Sequence, residues 1–269
     1  MRLKMRPHNA EVLKGPNDLD IYYTGPGLTK DPLPALFYFA LSGEESLTLD
    51  PFNQPAAFLS DQPIHIFSFT LPGHGPGFIN TKAMALWAHE ISIGNDIVEE
   101  FIEKAVANID FLAREGYIDS RHMAAAGLSR GSLIASHLAA RDERIGNVLG
   151  FAPLIKFDVL EEFQELLHHP LVKKWDLFQS IDVLADRRLR FYIGNRDTRV
   201  STRYCFDFIE ALANKSYEKG FRSPEIELII SPSIGHKGHG TPPHVFKNGI
   251  EWLKQKLGRK DASQTDEHV

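Results

Sequence analysis

The sequence contains a single cysteine, Cys205, among its 269 residues. One cysteine excludes an intrachain disulfide and any zinc site built on a pair of cysteines. Cys205 lies in a segment of helical periodicity, 202–213, without the small flanking residues of a catalytic turn. We therefore interpret its thiol as a packing side chain. The sequence also shows no cluster of metal ligands, no G-x-G-x-x-G pattern and no phosphate-binding loop, so we expect neither a metal nor an organic cofactor.

The sequence has no excess of basic residues and no long apolar run. Lys and Arg total 30 and Asp and Glu total 35, a net charge of −5, which makes nucleic acid a poor candidate partner. The longest apolar stretches, such as 34–41, fall far short of the roughly 20 residues that span a bilayer. The first residues, MRLKMRPHNAEVLKG, lack the apolar core of a secretory signal. We therefore expect a cytoplasmic protein that acts on a small molecule, without nucleic-acid binding or a membrane span.

The hydrophobic pattern is typical of an α/β domain. Apolar runs alternate with segments of helical periodicity, which predicts βαβ units around a mostly parallel sheet. We expect one domain over residues 1–258, a small cap over about 153–188, and a polar C-terminal tail over 259–269. A cap at that point would cover the carboxyl edge of the sheet, where open α/β sheets bind their substrates. The predicted strands are 21–23, 34–41, 64–71, 122–128, 146–152, 189–194 and 225–230, of which we expect 21–23 to be antiparallel. The clearest predicted helices are 97–112 and 132–140.

The segment Gly127-Leu-Ser129-Arg130-Gly131 has the G-x-S-x-G pattern. It follows a predicted strand and precedes a predicted helix, the context in which a serine is held on a sharp turn and exposed as a nucleophile. The glycines allow the backbone to bend and the helix to pack closely. Ser129 is therefore the predicted nucleophile.

A serine nucleophile needs a base, and the base needs a carboxylate to orient it. After a serine of this kind the acid and then the histidine follow along the chain. Asp197 comes just after the predicted strand 189–194 and is the expected acid, with Asp158 in reserve. His236 follows the last strand after a glycine and is the expected base, with His239 as the alternative.

Four segments in this order resemble the α/β-hydrolases: Leu71-Pro-Gly-His-Gly75, Gly127–Gly131, Asp197-Thr-Arg-Val200 and Gly235-His236. The chain is most similar to the single-domain serine hydrolases of the dienelactone-hydrolase and prolyl-oligopeptidase type, over about residues 20–257. The resemblance implies the α/β-hydrolase fold, with a mostly parallel eight-stranded sheet, one antiparallel edge strand and helices on both faces.

The resemblance also implies an oxyanion hole made of backbone N–H groups. One donor would be Arg130, the residue after the nucleophile, and the other would come from the loop that begins at Ser42. In this loop Ser42-Gly43 stands where the family usually has His-Gly, which makes Glu44, next to Gly43, the expected donor. Dienelactone hydrolases carry cysteine at the turn that here holds serine, so dienelactones are not the implied substrates.

The sequence therefore predicts a carboxylesterase-like serine hydrolase that forms an acyl-enzyme on Ser129. Two alternatives remain open. One is a peptidase or acyl-peptide hydrolase of the prolyl-oligopeptidase type. The other is a catalytically inactive hydrolase fold that serves as a binding module, for which the unusual loop at Ser42 is the only support.

Overall fold

The computed structural model describes residues 9–258, and the predicted tail 259–269 lies outside them. One mixed sheet runs through the molecule in the strand order β1-β2-β4-β3-β5-β6-β7-β8. The strands are β1 (Glu11–Leu13), β2 (Ile21–Thr24), β3 (Leu33–Phe39), β4 (His65–Ser68), β5 (Ile118–Leu128), β6 (Ile145–Phe151), β7 (Arg188–Gly194) and β8 (Ile226–Ser231).

Helices cover both faces of the sheet. They are α1 (Gly43–Thr48), α2 (Gln54–Ala57), α3 (Ala83–Ser92), α4 (Ile97–Arg114), α5 (Arg130–Arg141), α6 (Pro170–Lys174), α7 (Ile181–Leu184), α8 (Thr202–Glu218) and α9 (Pro243–Leu257), with short 3-10 turns between some of them. Within residues 9–258 none of these helices combines the length and apolarity needed to cross a membrane.

The apolar run of β3 shows why two layers of helices form. Successive side chains of a strand point to opposite faces, and here Phe37 and Phe39 enter the core shared with α3, α4, α5 and α8. Leu36 and Tyr38, between them, enter the core shared with α1, α2 and α9. A strand covered on both faces is apolar at every position, so the continuous run in the sequence is accounted for. The predicted α/β class with a mostly parallel eight-stranded sheet is confirmed.

The antiparallel strand is β2, and it is not at the edge of the sheet. It pairs antiparallel with both β1 and β4, so the edge strand β1 runs in the majority direction. The expectation of an antiparallel strand at 21–23 is therefore correct, whereas the antiparallel edge strand that the resemblance implied does not fit this sheet. The three-residue β1 has an exposed, weakly apolar sequence, and the hydrophobic pattern does not predict it.

The segment 153–188 connects β6 to β7 through short helical turns and the helices α6 and α7. Its aromatic side chains fold inward: Phe157 and Phe163 are fully buried and stack with their ring centroids 4.5 Å apart. Trp175 is buried as well, and its indole N–H donates to the Asp96 carboxylate at 2.8 Å. These aromatic rings therefore pack this segment onto the rest of the molecule.

Candidate active site

Ser129 lies between the last residue of β5 and the first residue of α5. Its backbone has φ 57° and ψ −120°, a conformation that non-glycine residues rarely adopt. The turn is fixed on both sides, because the Ser129 N–H donates to the carbonyl of Phe151 at 2.8 Å and the Ser129 carbonyl accepts from Leu154 at 3.2 Å. A residue held in such strain by its surroundings is characteristic of a functional position.

The two glycines of the G-x-S-x-G pattern are required by close backbone approach. A Cβ atom on Gly127 would lie 2.1 Å from the carbonyl carbon of Gly131, and one on Gly131 would lie 2.0 Å from the carbonyl oxygen of Phe39. Real Cβ atoms do not approach backbone so closely. The pattern therefore lets α5 start directly against β3 and β5, which places Ser129 at the carboxyl edge of the sheet.

Asp197 follows β7 and reaches the same edge. Asp197 is buried, with 3% of its surface exposed. Its Oδ1 accepts hydrogen bonds from the backbone N–H groups of Arg199 at 2.9 Å and Val200 at 3.1 Å. The hydroxyl of Thr202 accepts the Asp197 N–H at 3.0 Å and donates to the carbonyl of Gly194 at 2.6 Å. Thr202 thereby fixes the loop that carries the carboxylate. Sequence reasoning missed this residue, because a threonine at the start of a helix is common and carries no specific signal.

His239 lies between Ser129 and Asp197. Its Nδ1 is 2.7 Å from Asp197 Oδ2, and its Nε2 is 2.9 Å from Ser129 Oγ. Because the Asp197 carboxylate can only accept, Nδ1 carries the proton and donates to Oδ2. Nε2 is then unprotonated and accepts the hydrogen bond of the Ser129 hydroxyl. This arrangement can remove the proton from Oγ as the oxygen attacks an electrophile.

The structure brings His239, and not His236, into contact with Ser129 and Asp197, so the first expectation for the base does not fit the geometry. His236 is exposed and starts a short 3-10 turn ending at Gly238. In that turn Lys237 and Gly238 both have positive φ, 55° and 73°. This local reversal carries the chain three residues further before a histidine enters the site. Asp158, the reserve acid, lies in a separate 3-10 turn after β6, where burial raises the pKa of its carboxyl.

The predicted oxyanion donors, Arg130 and the loop residues Gly43 and Glu44, differ in their position relative to the cavities beside Ser129. Arg130 is the first residue of α5, so its backbone N–H has no acceptor within the helix. Gly43 instead donates its N–H to the hydroxyl of Thr70 at 3.0 Å. Glu44 is exposed on α1, and neither Gly43 nor Glu44 is among the described residues that line the two cavities beside Ser129. The loop starting at Ser42 is used to begin α1, since Ser42 and Glu45 form a capping box there.

Two cavities meet at Ser129, Arg130 and His239. The first has a volume of about 380 Å³ and extends toward Arg199, Lys237 and Leu160. The second has a volume of about 260 Å³ and is mainly apolar. Its walls are formed by Ala40, Leu41, Pro51, Phe52, Leu128 and Phe246, together with the segment Gly240–Thr241. The serine hydroxyl is therefore accessible from two chemically different sides.

The Arg130 side chain lies beside the first cavity, where burial lowers the pKa of its guanidinium to about 10. The positive charge of Arg199 lowers it further, and Glu162 opposes that effect. The guanidinium remains charged at neutral pH, since even the lowered pKa lies well above 7. Burial likewise lowers the pKa of the nearby His74 to about 4, and the charge of Arg130 adds to that shift.

No protein-family model matches the chain, and no curated protein matches it in sequence. Solved structures, in contrast, match the chain in fold. The acylaminoacyl peptidase of Pyrococcus horikoshii superposes with a TM-score of 0.68 at 14% identity, covering 97% of this chain and 43% of the peptidase. TT1662 from Thermus thermophilus gives a TM-score of 0.69 at 19% identity, with 95% of this chain and 100% of that protein covered. A puromycin-hydrolyzing peptidase of Mycobacterium tuberculosis gives 0.65 at 16% identity, over 95% of this chain and 40% of that one.

The chain thus spans less than half the length of the two peptidases that it resembles. At these identities the likeness concerns the fold. The chain has the α/β-hydrolase fold.

Proposed function

We propose that the protein is a serine hydrolase that cleaves carboxylic esters through an acyl-enzyme on Ser129. The observation that carries the proposal is the continuous hydrogen-bond chain from Ser129 Oγ through His239 to Asp197, at 2.9 Å and 2.7 Å. In the proposed mechanism Oγ attacks the carbonyl carbon of the substrate while its proton passes to His239 Nε2. Asp197 keeps the imidazole in the required tautomer and stabilises the imidazolium that forms.

The tetrahedral intermediate then breaks down. The backbone N–H of Arg130 donates to the oxyanion, an interaction whose loss typically costs about 3 kcal/mol of activation free energy. His239 returns the proton to the leaving oxygen, which departs as an alcohol and leaves the acyl group on Oγ. A water molecule, deprotonated in turn by His239, attacks this ester and releases the carboxylic acid together with free Ser129.

Esters are placed first because the apolar cavity at Leu41, Phe52 and Phe246 offers about 260 Å³ beside the nucleophile, enough for a short acyl or alkyl group. Peptide-bond hydrolysis is the second candidate reaction. It is favoured by the similarity to the P. horikoshii and M. tuberculosis proteins, both of which are named as peptidases. The same three residues could serve both reactions, since the leaving amine would also be protonated by His239.

A mechanism-based probe tests the proposal directly. Intact mass after treatment with a fluorophosphonate is expected to show one adduct on the wild type and none on Ser129→Ala. The exposed Ser92→Ala, on α3, serves as the matched control and should retain the adduct. Absence of an adduct on folded wild-type protein would contradict the proposal and favour the inactive binding module.

Paired substrates then separate the two reactions. Initial rates with 4-nitrophenyl butyrate and with acetyl-alanine 4-nitroanilide compare an ester with an amide of similar size. Ester hydrolysis that exceeds amide hydrolysis by more than the intrinsic difference in reactivity would support the esterase. A kcat/KM for the anilide equal to that for the ester would favour the peptidase.

A further inference from the structure

The Arg130 side chain has no partner among residues 9–258. Its Nε is buried without a hydrogen bond, and no ion pair or hydrogen bond of its guanidinium is formed within that range. A buried guanidinium normally pairs with a carboxylate, because unpaired buried donors lose their hydration without compensation. The proposed mechanism uses only the backbone N–H of Arg130, which leaves the charged side chain unexplained.

The described lining of the cavity next to this guanidinium contains cationic side chains and no acidic ones. Three cationic side chains line it, Arg130, Arg199 and Lys237, and no Asp or Glu belongs to the described lining. Two glutamates outside this lining pair with two of its cations. Glu162 binds Arg199 through both oxygens, at 2.7 Å and 3.0 Å, and the largely exposed Glu161 pairs with Lys237 at 2.5 Å.

These pairs leave Arg130 as the one cation of the cavity lining without a described counter-ion. Arg199 is already neutralised and held in place by Glu162, and its backbone N–H fixes Asp197. A ligand anion that enters the cavity would therefore meet Arg130 as its strongest attraction. Guanidinium groups bind carboxylates in a planar, two-pronged geometry.

The second cavity beside Ser129 has no charged side chain in its described lining other than Arg130, which lines both cavities. This cavity, at Leu41, Phe52 and Phe246, shares Ser129, Arg130 and His239 with the cavity that Arg199 and Lys237 also line. A substrate whose scissile carbonyl lies at Ser129 Oγ would extend an apolar part into one cavity and a charged part into the other. Shape and charge together thus select for a substrate with two different ends.

We infer that the substrate is a carboxylate-bearing ester, whose carboxylate is bound by the Arg130 side chain in the cavity shared with Arg199 and Lys237, and whose apolar end occupies the cavity at Phe52 and Phe246. This inference rests on the proposed function, because it places the carboxylate relative to a bond cleaved at Ser129. It deepens that function by naming the substrate class. The carboxylate belongs either to the acyl part or to the alcohol part, and the experiment distinguishes the two.

Two pairs of esters, each differing by a carboxylate in place of a methyl group, test the inference. Monobutyl glutarate and butyl valerate place the difference in the acyl part, and 4-butyryloxybenzoate and 4-methylphenyl butyrate place it in the alcohol part. Hydrolysis of all four is followed in a pH-stat, and the readout is the ratio of kcat/KM for the anionic ester to that for its neutral partner. The wild type should prefer the anionic ester in one pair, and that pair identifies the part that carries the carboxylate.

Substitutions then assign the preference to Arg130. Arg130→Gln should lower the ratio of the preferred pair by about 10- to 100-fold, the range expected for loss of a charged hydrogen bond. Arg130→Lys retains the charge and should recover part of the preference, which a purely structural role would not produce. Arg203→Gln removes an arginine that is 75% exposed and pairs with Asp207 outside the cavity, so it should leave the ratio unchanged.

The outcomes separate the inference from the function it rests on. If the wild type reacts with the fluorophosphonate and hydrolyses the neutral esters but prefers neither anionic ester, the inference is overturned and the serine hydrolase stands. An equal ratio in Arg130→Gln, Arg130→Lys and wild type likewise overturns the inference alone. A folded wild type that forms no adduct and hydrolyses none of the four esters overturns both.

Discussion

The assignment of the base can be tested by replacing, one at a time, two histidines that lie three residues apart and line the same cavity. His239→Ala removes the group within hydrogen-bond distance of both Ser129 Oγ and Asp197 Oδ2. His236→Ala removes an equal volume from an exposed position outside that chain of hydrogen bonds. The pair therefore separates loss of the base from general effects of deleting an imidazole at the rim of the cavity.

The expected loss in His239→Ala is large. Deleting a member of such a triad lowers kcat by about 10⁴- to 10⁶-fold, and 10⁴-fold corresponds to about 5 kcal/mol of activation free energy. His236→Ala should lower kcat by less than about tenfold, which is under about 1.4 kcal/mol. The assay is the initial rate with 4-nitrophenyl butyrate, a neutral ester, so that charge recognition does not enter.

The fold should survive the His239→Ala change. The buried Asp197 carboxylate keeps the two backbone N–H bonds from Arg199 and Val200 to its Oδ1, and only Oδ2 loses its partner. We expect a cost of about 1 kcal/mol, which lowers the midpoint of thermal unfolding by about 2–4 °C in a protein of this size. A His239→Ala variant that keeps near-wild-type rates, together with a His236→Ala variant that loses them, would refute the assignment.

Three further predictions concern the turn, the cysteine and a buried histidine. Gly127→Ala should lower the free energy of unfolding in guanidinium chloride by about 1–3 kcal/mol or more, because its Cβ would overlap the backbone of Gly131. The control Gly146→Ala has no heavy atom within 4 Å of the added Cβ and should change this free energy by less than about 0.5 kcal/mol. Equal losses in the two variants would contradict this explanation. Burial raises the pKa of the Cys205 thiol, and the nearby Asp197 charge adds to this shift. A disulfide reagent such as DTNB should therefore leave the native protein unlabelled and modify one thiol after denaturation. Fast labelling of the native protein would show that the thiol is accessible. Burial lowers the pKa of His137 to about 4, so between about pH 6.5 and 4 its imidazole is protonated more in the unfolded chain than in the folded one. As the pH drops through that window, this histidine should lower the free energy of unfolding by up to about 3 kcal/mol, in addition to the similar contribution of His74. His137→Gln should flatten this fall, and an unchanged slope would exclude His137 as its source.

Much of the fold and part of the site follow from local patterns in the sequence. The unbroken apolar run of β3 requires cover on both faces, and the 3.6-residue spacing in 97–112 requires a helix, so both elements are fixed by short-range chemistry. The glycines around Ser129 permit the sharp turn, because a Cβ atom at either position would overlap the backbone there. Asp197 is placed by its position after β7, since parallel strands end at one edge of the sheet.

The choice between His236 and His239 depends on a tertiary contact. Both histidines follow glycine and β8 closely, and the decision lies in the positive-φ turn at Lys237 and Gly238. That turn is held from outside: the Lys237 carbonyl accepts the N–H and the hydroxyl of Thr198, on the loop that carries Asp197. A bond between segments so far apart in sequence leaves no periodic trace, so no local pattern could have selected His239.

The same reason applies to Arg130 and to the arrangement of the strands. That an arginine follows the nucleophile is plain from the chain alone. The pairing of Glu162 with Arg199, however, forms only once the segment after β6 packs against the loop after β7, and it leaves Arg130 without a partner among residues 9–258. Likewise the short-range pattern determined that a strand forms near Ile21, whereas its place between β1 and β4 was decided by pairing across the sheet. Backbone periodicity and glycine geometry act over a few residues and can be read from the chain. Hydrogen bonds and ion pairs between distant segments form only in the folded protein. In this protein they select the base, and among residues 9–258 they leave Arg130 without a partner.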